Sequence, residues 1–180
     1  MSVLNSENSL LLIIDIQEKL LNAVFNKKNL EKNSEILAKT ANILQIPCII
    51  TEQYPKGLGT TIFEISQNVK TCTFEKLSFN ALSNEEILYG IKNISRKQII
   101  LGGIETHICV RQTAEGLLRE GYNVSVIKDF CGSRSEVEHL AGLEIMKQEG
   151  CFIKTTEMVL FELLKTAKHP NFKEIQALVK

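Results

Sequence analysis

Three side chains that lie far apart in the sequence could carry out one reaction together: Asp15, Lys76 and Cys109. A thiolate attacks electrophilic carbon, a nearby carboxylate can accept the thiol proton and return it to a leaving group, and a cation stabilises the thiolate. Each residue also has a simpler interpretation, because Asp15 could cap a helix, Lys76 could be a solvated cation and Cys109 could fill the core. The fold that positions them decides between these interpretations.

The segment around Cys109 predicts a strand that turns directly into a helix. An apolar run at 98–101 is followed by Gly102 and Gly103, and then by a helical pattern for which Thr106 is the predicted N-cap. A cysteine in the first turn of a helix lies near the positive end of the helix dipole, which favours the thiolate. We therefore expect Cys109 to be an activated thiol and the first cysteine that mild alkylation labels.

Apolar runs that alternate with helical patterns indicate one α/β domain over residues 1–180. The predicted strands cover 9–14, 46–51, 69–74, 98–101, 122–127 and 151–154. The predicted helices cover 17–21, 30–44, 83–91, 106–120, 135–148, 156–164 and 171–179, with a loop at 52–59. Strands that alternate with helices are typical of a parallel sheet, in which ligands bind beyond the carboxyl ends of the strands. That edge would bring Asp15, Lys76 and Cys109 together.

The composition suits a domain of ordinary size and gives no sign of a nucleic-acid or membrane partner. Of the 180 residues, 44% are hydrophobic, and 21 basic side chains balance 21 acidic ones to a formal net charge of zero. Nucleic acid and anionic membranes both attract a basic surface, so we expect neither as a partner. Residues 1–8 carry no signal-peptide pattern, and no apolar run approaches the roughly 20 residues of a membrane-spanning helix. The cytoplasm is therefore the expected location.

The five cysteines are odd in number and widely spaced, at positions 48, 72, 109, 131 and 151. Neither a disulfide framework nor a zinc site has this spacing, whereas reduced thiols in a reducing compartment fit it. We expect the four cysteines other than Cys109 to have structural roles as small apolar residues.

Several motifs resemble those of the isochorismatase-like cysteine hydrolases. The resemblance rests on Ile13-Ile14-Asp15-Ile16-Gln17, on Phe74-Glu75-Lys76-Leu77-Ser78-Phe79 and on Gly103-Ile104-Glu105-Thr106-His107-Ile108-Cys109-Val110. It covers nearly the whole chain, and residues 51–59 and 169–176 are similar to the subgroup of isochorismatase domain-containing proteins. The resemblance implies a Rossmann-like, three-layer α/β/α fold with a doubly wound, six-stranded parallel sheet.

The same resemblance implies a catalytic triad of Asp15, Lys76 and Cys109 that hydrolyses a non-peptide carbon–nitrogen bond of a small amide through a thioester on Cys109. It also implies a cis peptide bond between Ile104 and Glu105, and an oxyanion hole formed by the backbone N–H groups of Glu105 and Cys109. The residues themselves agree, because backbone donors at the start of a helix can hold a tetrahedral oxyanion. The substrate-pocket residues expected around the triad are Gln17, Glu52, Tyr54, Phe79 and Thr106.

We expect neither a metal nor another cofactor. Nicotinamidases of this family bind a metal through an aspartate and histidines near the loop after the second strand, where this chain has Glu52, Gln53 and Tyr54. The histidines, at 107, 139 and 169, are too scattered to replace those ligands. Isochorismatase itself acts on a vinyl ether without a cysteine nucleophile, so Cys109 argues against isochorismate as the substrate.

Two alternatives stay open from the sequence. The Glu105 carboxylate either faces the pocket and favours a polar or cationic substrate, or pairs with a cation such as Arg111. The protein is either a cysteine hydrolase or a binding protein that keeps the fold without turnover.

We expect a homo-oligomer, in which Ile175, Leu178 and Val179 of the last helix could dock on a neighbour. A redox-sensing thiol ranks last, because it needs a second cysteine nearby.

Overall fold

The computed structural model describes residues 3–69 and 72–180 of the chain. The strands are β1 (Ser9–Ile14), β2 (Cys48–Gln53), β3 (Cys72–Lys76), β4 (Gln98–Ile104), β5 (Asn123–Gly132) and β6 (Phe152–Lys154). They pair in parallel in one sheet with the order β3-β2-β1-β4-β5-β6. The predicted α/β class and the six-stranded parallel sheet are therefore confirmed.

Helices cover both faces of this sheet. They are α1 (Glu18–Ala23), α2 (Lys27–Ile43), α3 (Pro55–Leu58), α4 (Phe63–Ser66), α5 (Glu85–Ile94), α6 (Arg111–Arg119), α7 (Glu136–Gln148), α8 (Thr156–Leu164) and α9 (Phe172–Ala177). Apolar residues of α2, α8 and α9 form one core cluster on one face, and those of α5, α6 and α7 form a second cluster on the other. This is the predicted three-layer, doubly wound arrangement. Within the described ranges, no helix has the length and apolar character needed to cross a membrane.

Strand β1 lies at the centre of the sheet because its sequence is apolar on both sides. All six of its residues are buried, with Leu11 and Ile13 in the first core cluster and Leu10, Leu12 and Ile14 in the second. A strand that is covered on both faces has this continuous apolar pattern, and each such side chain contributes about 1.5–3 kcal/mol on burial. The predicted bounds and burial of this strand are both confirmed.

Strand β5 is longer than the sequence predicts. It continues through Lys128 and Asp129 to Gly132, although these two charged residues are expected to close it. The Asp129 carboxylate is satisfied there, because its Oδ1 accepts hydrogen bonds from the Thr156 backbone N–H at 2.8 Å and from the Thr156 hydroxyl at 2.9 Å. Phe130 is then completely buried. Because Phe130 packs in the core, the strand continues beyond the charged residues Lys128 and Asp129.

The third strand differs from its prediction at both ends. Of the predicted range 69–74, residues 70 and 71 lie outside the described part of the chain, and β3 runs from Cys72 to Lys76. Lys76 is thus the last residue of the strand and pairs in register with Gln53 on β2. The Cys72 side chain is exposed, so the prediction that it is a buried filler is wrong, whereas Cys48, Cys131 and Cys151 are buried as expected.

The loop predicted at 52–59 is partly wrong. Strand β2 extends through Gln53, and the short helix α3 begins two residues later. Tyr54, which lies between them, has a left-handed backbone with φ 38°. A Cβ on Gly57 would lie 2.3 Å from the Tyr54 ring. A larger residue at this position would therefore displace the exposed Tyr54 ring.

Helix α9 packs against the core of its own chain. Ile175 is completely buried, and Leu178 and Val179 pack, partly buried, against the same core cluster. Ile175 is therefore unavailable to a neighbouring subunit, which corrects the prediction for this residue, whereas docking through the partly buried Leu178 and Val179 stays a prediction. A homo-oligomer likewise stays a prediction.

Candidate active site

A crevice is expected where the direction of winding changes, and in this sheet that point lies between β1 and β4. From β1 the chain winds through β2 to β3, and from β4 it winds in the opposite direction through β5 to β6. Ligands of doubly wound sheets bind at this point, beyond the carboxyl ends of the strands. Asp15 follows β1 directly, and Glu105 follows β4 directly. Both residues therefore lie at the edge where a ligand is expected.

The close contact of β1 with β4 depends on a glycine. Gly103 has φ 145°, and a Cβ at this position would lie 2.0 Å from the Ile14 carbonyl oxygen. No other residue fits this space without moving one of the strands. The glycine pair that the sequence places before the Cys109 segment is thus explained in part by the packing of the two central strands.

Asp15 and Lys76 form a fully buried ion pair. The Lys76 Nζ lies 2.6 Å from the Asp15 Oδ2, and neither side chain has any solvent exposure. The remaining polar groups of the pair are satisfied, because Lys76 also donates to the Gln53 Oε1 at 2.8 Å and to the Ser78 carbonyl at 3.1 Å. The Thr51 hydroxyl donates to the second Asp15 oxygen at 2.7 Å. A buried ion pair needs such additional hydrogen bonds to offset the loss of solvation.

Cys109 lies in a π-helical turn, Thr106–Val110, that precedes α6, and not in the first turn of an α-helix. Its side chain is buried, and its thiol donates a hydrogen bond to the Asp15 carboxylate. Burial, reinforced by the Asp15 charge, raises the pKa of the Cys109 thiol to about 12, while Lys76 and a backbone hydrogen bond from Glu105 lower it by less. The predicted resting thiolate is therefore wrong, and the thiol is protonated at neutral pH.

Thr106 has a different role from the predicted N-cap. Its side chain is completely buried, and its hydroxyl lies 2.9 Å from the His139 Nδ1. Burial, with a smaller contribution from Lys128, lowers the pKa of His139, so this histidine is neutral near pH 7. Helix α7, which carries His139, lies close to the turn, because a Cβ on Gly142 would be 2.9 Å from the His107 Cα. Thr106 thus links the π-helical turn to α7.

Glu105 joins the site through both its backbone and its side chain. The peptide bond between Ile104 and Glu105 is cis, the isomer that the family resemblance implies. The Glu105 carboxylate pairs with the Arg134 Nε at 2.8 Å. Arg111, the partner considered from the sequence, instead lies near Glu115 and Glu149. The ion-pair alternative is therefore supported, with a different cation.

Two of the expected pocket residues bind neighbouring backbone or side-chain groups instead. The buried Gln17 carboxamide accepts a hydrogen bond from the Gln53 N–H at 2.7 Å and donates to the carbonyls of Gln53 and Gly59. The buried Glu52 Oε1 accepts hydrogen bonds from the Thr61 N–H at 2.7 Å and from the Thr61 hydroxyl at 2.8 Å. Both side chains therefore hold the segment after β2 in place, and their contact with a substrate stays a prediction.

Of the three remaining expected pocket residues, Thr106 is buried, as described above, whereas Tyr54 and Phe79 are exposed. Tyr54 lines a cavity of about 600 Å³ whose wall also includes Lys76 and Ser78. Phe79 is half exposed and follows Ser78 in the segment after β3. Both side chains are therefore open to solvent, and their contact with a substrate stays a prediction.

The structure adds residues that sequence reasoning did not single out, chiefly Thr51 and Gln53. Both lie near the end of β2, two residues apart, where side chains of a strand point to the same face. Thr51 pairs in register with Ile14, the residue before Asp15, and Gln53 pairs with Lys76. Two polar residues at this spacing, after a buried apolar run, are the signal that could have identified them.

The three histidines have different hydrogen-bond partners. His107 lies 3.1 Å from the Ser133 hydroxyl, His139 contacts Thr106, and the His169 Nδ1 accepts a hydrogen bond from the Asn171 N–H. Across residues 3–69 and 72–180, no three side chains of His, Cys, Asp or Glu come together in a way that could hold a metal ion. The described residues thus offer no protein-built metal centre.

Comparison with known proteins shows the family to which the chain belongs. The isochorismatase domain matches residues 9–158, so the chain belongs to the isochorismatase family. Isochorismatase domain-containing protein 2 of Danio rerio is 42% identical over 178 residues, which cover 98% of this chain and 89% of the fish protein. The predicted subgroup resemblance is thus confirmed.

Solved structures share the fold over nearly the whole chain. The MAR1 ribonuclease of Caenorhabditis elegans is 36% identical, with a TM-score of 0.92, and the match covers 98% of this chain and 91% of the worm protein. YcaC of Pseudomonas aeruginosa, solved with hexane-2,5-diol and covalent acrylamide, is 25% identical, with a TM-score of 0.93. The match covers 97% of this chain and 90% of the YcaC chain.

Proposed function

We propose that this protein is a metal-independent cysteine hydrolase that cleaves the carbon–nitrogen bond of a small amide in the cytoplasm through a thioester on Cys109. Membership of the isochorismatase family supports the hydrolase class. One observation carries the finer proposal: the buried Asp15 carboxylate contacts the Lys76 ammonium group and accepts a hydrogen bond from the Cys109 thiol. A nucleophile, a base and a cation thereby share one water-poor site.

In the first step, the Cys109 sulfur attacks the carbonyl carbon of the amide while Asp15 takes the thiol proton. The thiol is protonated at rest because burial and Asp15 raise its pKa to about 12. Deprotonation must therefore accompany the attack, which is the task of a positioned general base. Lys76 keeps positive charge beside Asp15 and lowers the pKa of Cys109, so it favours the developing thiolate.

The tetrahedral intermediate carries negative charge on the former carbonyl oxygen. In this proposal the backbone N–H groups of Glu105 and Cys109 donate to that oxygen, and each such donor is worth about 3 kcal/mol. Support comes from the Glu105 backbone, which already makes a hydrogen bond to the Cys109 sulfur. A donor that reaches the sulfur lies close to where the oxyanion forms.

Collapse of the intermediate breaks the carbon–nitrogen bond. Asp15 returns its proton to the leaving amine, and the acyl group stays on the Cys109 sulfur as a thioester. Water then attacks the thioester with Asp15 as the base, which releases a carboxylic acid and restores the thiol. The covalent acrylamide of the P. aeruginosa relative is consistent with a nucleophilic side chain in this fold that a small electrophile can reach.

The test is a screen of small amides and ureas against the wild-type protein, Cys109→Ala and Cys72→Ala. Cys72 is exposed and lies outside the proposed machinery, so its replacement is the matched control for loss of a thiol. We expect Cys109→Ala to lose hydrolysis and Cys72→Ala to keep it. RNA belongs in the panel, because the 36% identical worm protein is named a ribonuclease. Hydrolysis that persists in Cys109→Ala would refute the cysteine mechanism.

A binding protein without turnover is the second candidate, and the high pKa of Cys109 favours it, because a protonated thiol is a poor nucleophile. In that case compounds of the same panel would raise the melting temperature of the wild-type protein without forming product. Cys109→Ala would then bind as well as the wild type. Product formation by the wild-type protein that requires Cys109 excludes this candidate.

A further inference from the structure

We infer that Gln53 is a positioning residue that orients the Lys76 ammonium group toward Asp15 and Cys109. The inference rests on the proposed function, because it gives Gln53 an effect on the reaction only through Lys76. Gln53 itself is not proposed to touch the substrate.

The first argument is the number of acceptors around Lys76. An ammonium group has three N–H donors, and here its three acceptors are the Asp15 Oδ2 at 2.6 Å, the Gln53 Oε1 at 2.8 Å and the Ser78 carbonyl at 3.1 Å. All donors are thus used, and the ammonium group has one preferred orientation. Without the Gln53 oxygen, one N–H of a buried cation loses its acceptor, and the group can rotate away from Asp15.

The second argument is that Gln53 is itself held in place from both ends. Its Nε2 donates to the Leu77 carbonyl at 2.8 Å, which directs the Oε1 toward Lys76. Its backbone N–H and carbonyl both bond the Gln17 carboxamide, at 2.7 Å and 3.0 Å. Gln17 lies two residues after Asp15, the proposed base. The segment that follows Asp15 therefore fixes the backbone of Gln53, which in turn orients Lys76.

A purely structural role for Gln53 predicts something different. In that case the important contact is the hydrogen bond from the Nε2 to the Leu77 carbonyl, which secures the segment after β3. The two roles use different atoms, so variants can separate them. Gln53→Glu keeps an acceptor for Lys76 and loses the donor to Leu77. Gln53→Lys keeps a donor and loses the acceptor, and Gln53→Met loses both.

The experiment measures covalent labelling of Cys109 by acrylamide at neutral pH, with mass spectrometry of the peptides. The sulfur bonds to the terminal carbon of acrylamide, the carbon–carbon π bond breaks, and the thiol proton ends on the carbon next to the amide. The exposed Cys72 of the same molecule is the internal reference. Circular dichroism establishes which variants are folded.

We expect Gln53→Met and Gln53→Lys to slow the labelling of Cys109 by about tenfold relative to Cys72, and Gln53→Glu to label faster than either. In a Lys76→Met background, Gln53→Met should cause no further slowing, because Gln53 acts through Lys76. If Lys76→Met does not fold, the order of the three Gln53 variants decides alone.

Two results would overturn the inference: Gln53→Lys labels at the wild-type rate while Gln53→Glu is slow, or Gln53→Met slows labelling by the same factor with and without Lys76. A different result would overturn the proposed function instead. If Lys76→Met is folded and its Cys109 reacts at the wild-type rate, Lys76 does not assist the thiol. The two failures are therefore distinguishable.

Discussion

Each side of the crevice has an ion pair, and the two pairs differ in their burial. On the side of β1 and β3, the Asp15–Lys76 pair is completely buried with its atoms 2.6 Å apart. On the side of β4 and β5, the Glu105–Arg134 pair is 2.8 Å apart, but the Arg134 side chain is 68% exposed. The distances are nearly equal, so burial is the main difference. Loss of Lys76 leaves a carboxylate with no solvent exposure, whereas loss of Arg134 leaves the Glu105 carboxylate, whose side chain is 13% exposed, with some access to water.

We expect the two ion pairs to have different roles. The buried pair is held by additional hydrogen bonds from Thr51 and Gln53 and suits a fixed proton carrier beside Cys109. The Glu105–Arg134 pair has one partner largely in solvent, so we expect it to separate more easily than the buried pair. The predictions below test the two sides against each other.

The largest effect is expected where the two sides meet. Gly103→Ala places a Cβ 2.0 Å from the Ile14 carbonyl oxygen at a backbone φ of 145°, so β1 and β4 would have to separate. We expect a loss of more than about 4 kcal/mol in the free energy of unfolding, or failure to fold. Gly121→Ala is the control, because its φ is 78° but no atom lies within 4 Å, and it should lose about 1 kcal/mol in urea unfolding.

Removal of the buried cation should have the next largest effect. Lys76→Met leaves the Asp15 carboxylate without its ion pair in a site with no solvent exposure. We expect the free energy of unfolding to fall by about 3–5 kcal/mol, as measured by urea unfolding at neutral pH. The matched control on the other side is Arg134→Met. Equal losses in the two variants would mean that burial is not what distinguishes the pairs.

High pH should weaken the fold through its buried thiols. Burial raises the pKa of Cys109, Cys131 and Cys151 to about 12 from an ordinary value of 9.0. The unfolded chain therefore releases these protons at lower pH than the folded protein does. The stability they contribute is complete below about pH 9 and is lost as the pH rises toward 12. Urea unfolding across this range measures the loss, which should become smaller in Cys131→Ala relative to its own stability at neutral pH.

A bulky thiol reagent should distinguish the cysteines by their exposure. A bulky maleimide at neutral pH should label the exposed Cys72 before the buried, protonated Cys109, contrary to the order expected from the sequence. Peptide mass spectrometry after short exposure measures the order. Rapid maleimide labelling of Cys109 in the folded protein would contradict both its burial and its raised pKa.

The smallest effect is expected at the exposed pair. Arg134→Ala removes the partner of Glu105, but the arginine side chain is mostly in solvent. Exposed ion pairs contribute less than about 1 kcal/mol, so urea unfolding should change within that limit. A loss of several kcal/mol would show that Glu105 depends on Arg134 as strongly as Asp15 depends on Lys76.

Much of this architecture could be predicted from local patterns, because those patterns are set by burial. Two examples follow from neighbouring residues alone. One is the continuous apolar run of β1. The other is the cap of α7, where the Ser135 side chain accepts a hydrogen bond from the Glu138 N–H. The start of α5 shows a limit of such rules. The sequence predicts a helix that begins at residue 83, but α5 begins at Glu85, and the side chain that caps it is that of Asn84.

The parts that could not be predicted depend on contacts between distant segments. The π-helical turn at Cys109 has no local signature, and it lies against α7 through Gly142. The high pKa of Cys109 arises from burial and from Asp15, which is 94 residues away, so the helix-dipole argument alone predicts the wrong protonation state. The proximity of Asp15 to Lys76, in contrast, follows from parallel topology once the strands are known.

The most direct test of the proposed mechanism is the detection of the acyl-enzyme. The wild-type protein is mixed with an amide that it hydrolyses, quenched in acid within the first turnovers, and mapped by peptide mass spectrometry. We predict a mass increase equal to the acyl group on the peptide that contains Cys109, and none on the peptide that contains Cys72. Turnover with the acyl group on another residue, or undiminished turnover by Cys109→Ala, would contradict the proposal.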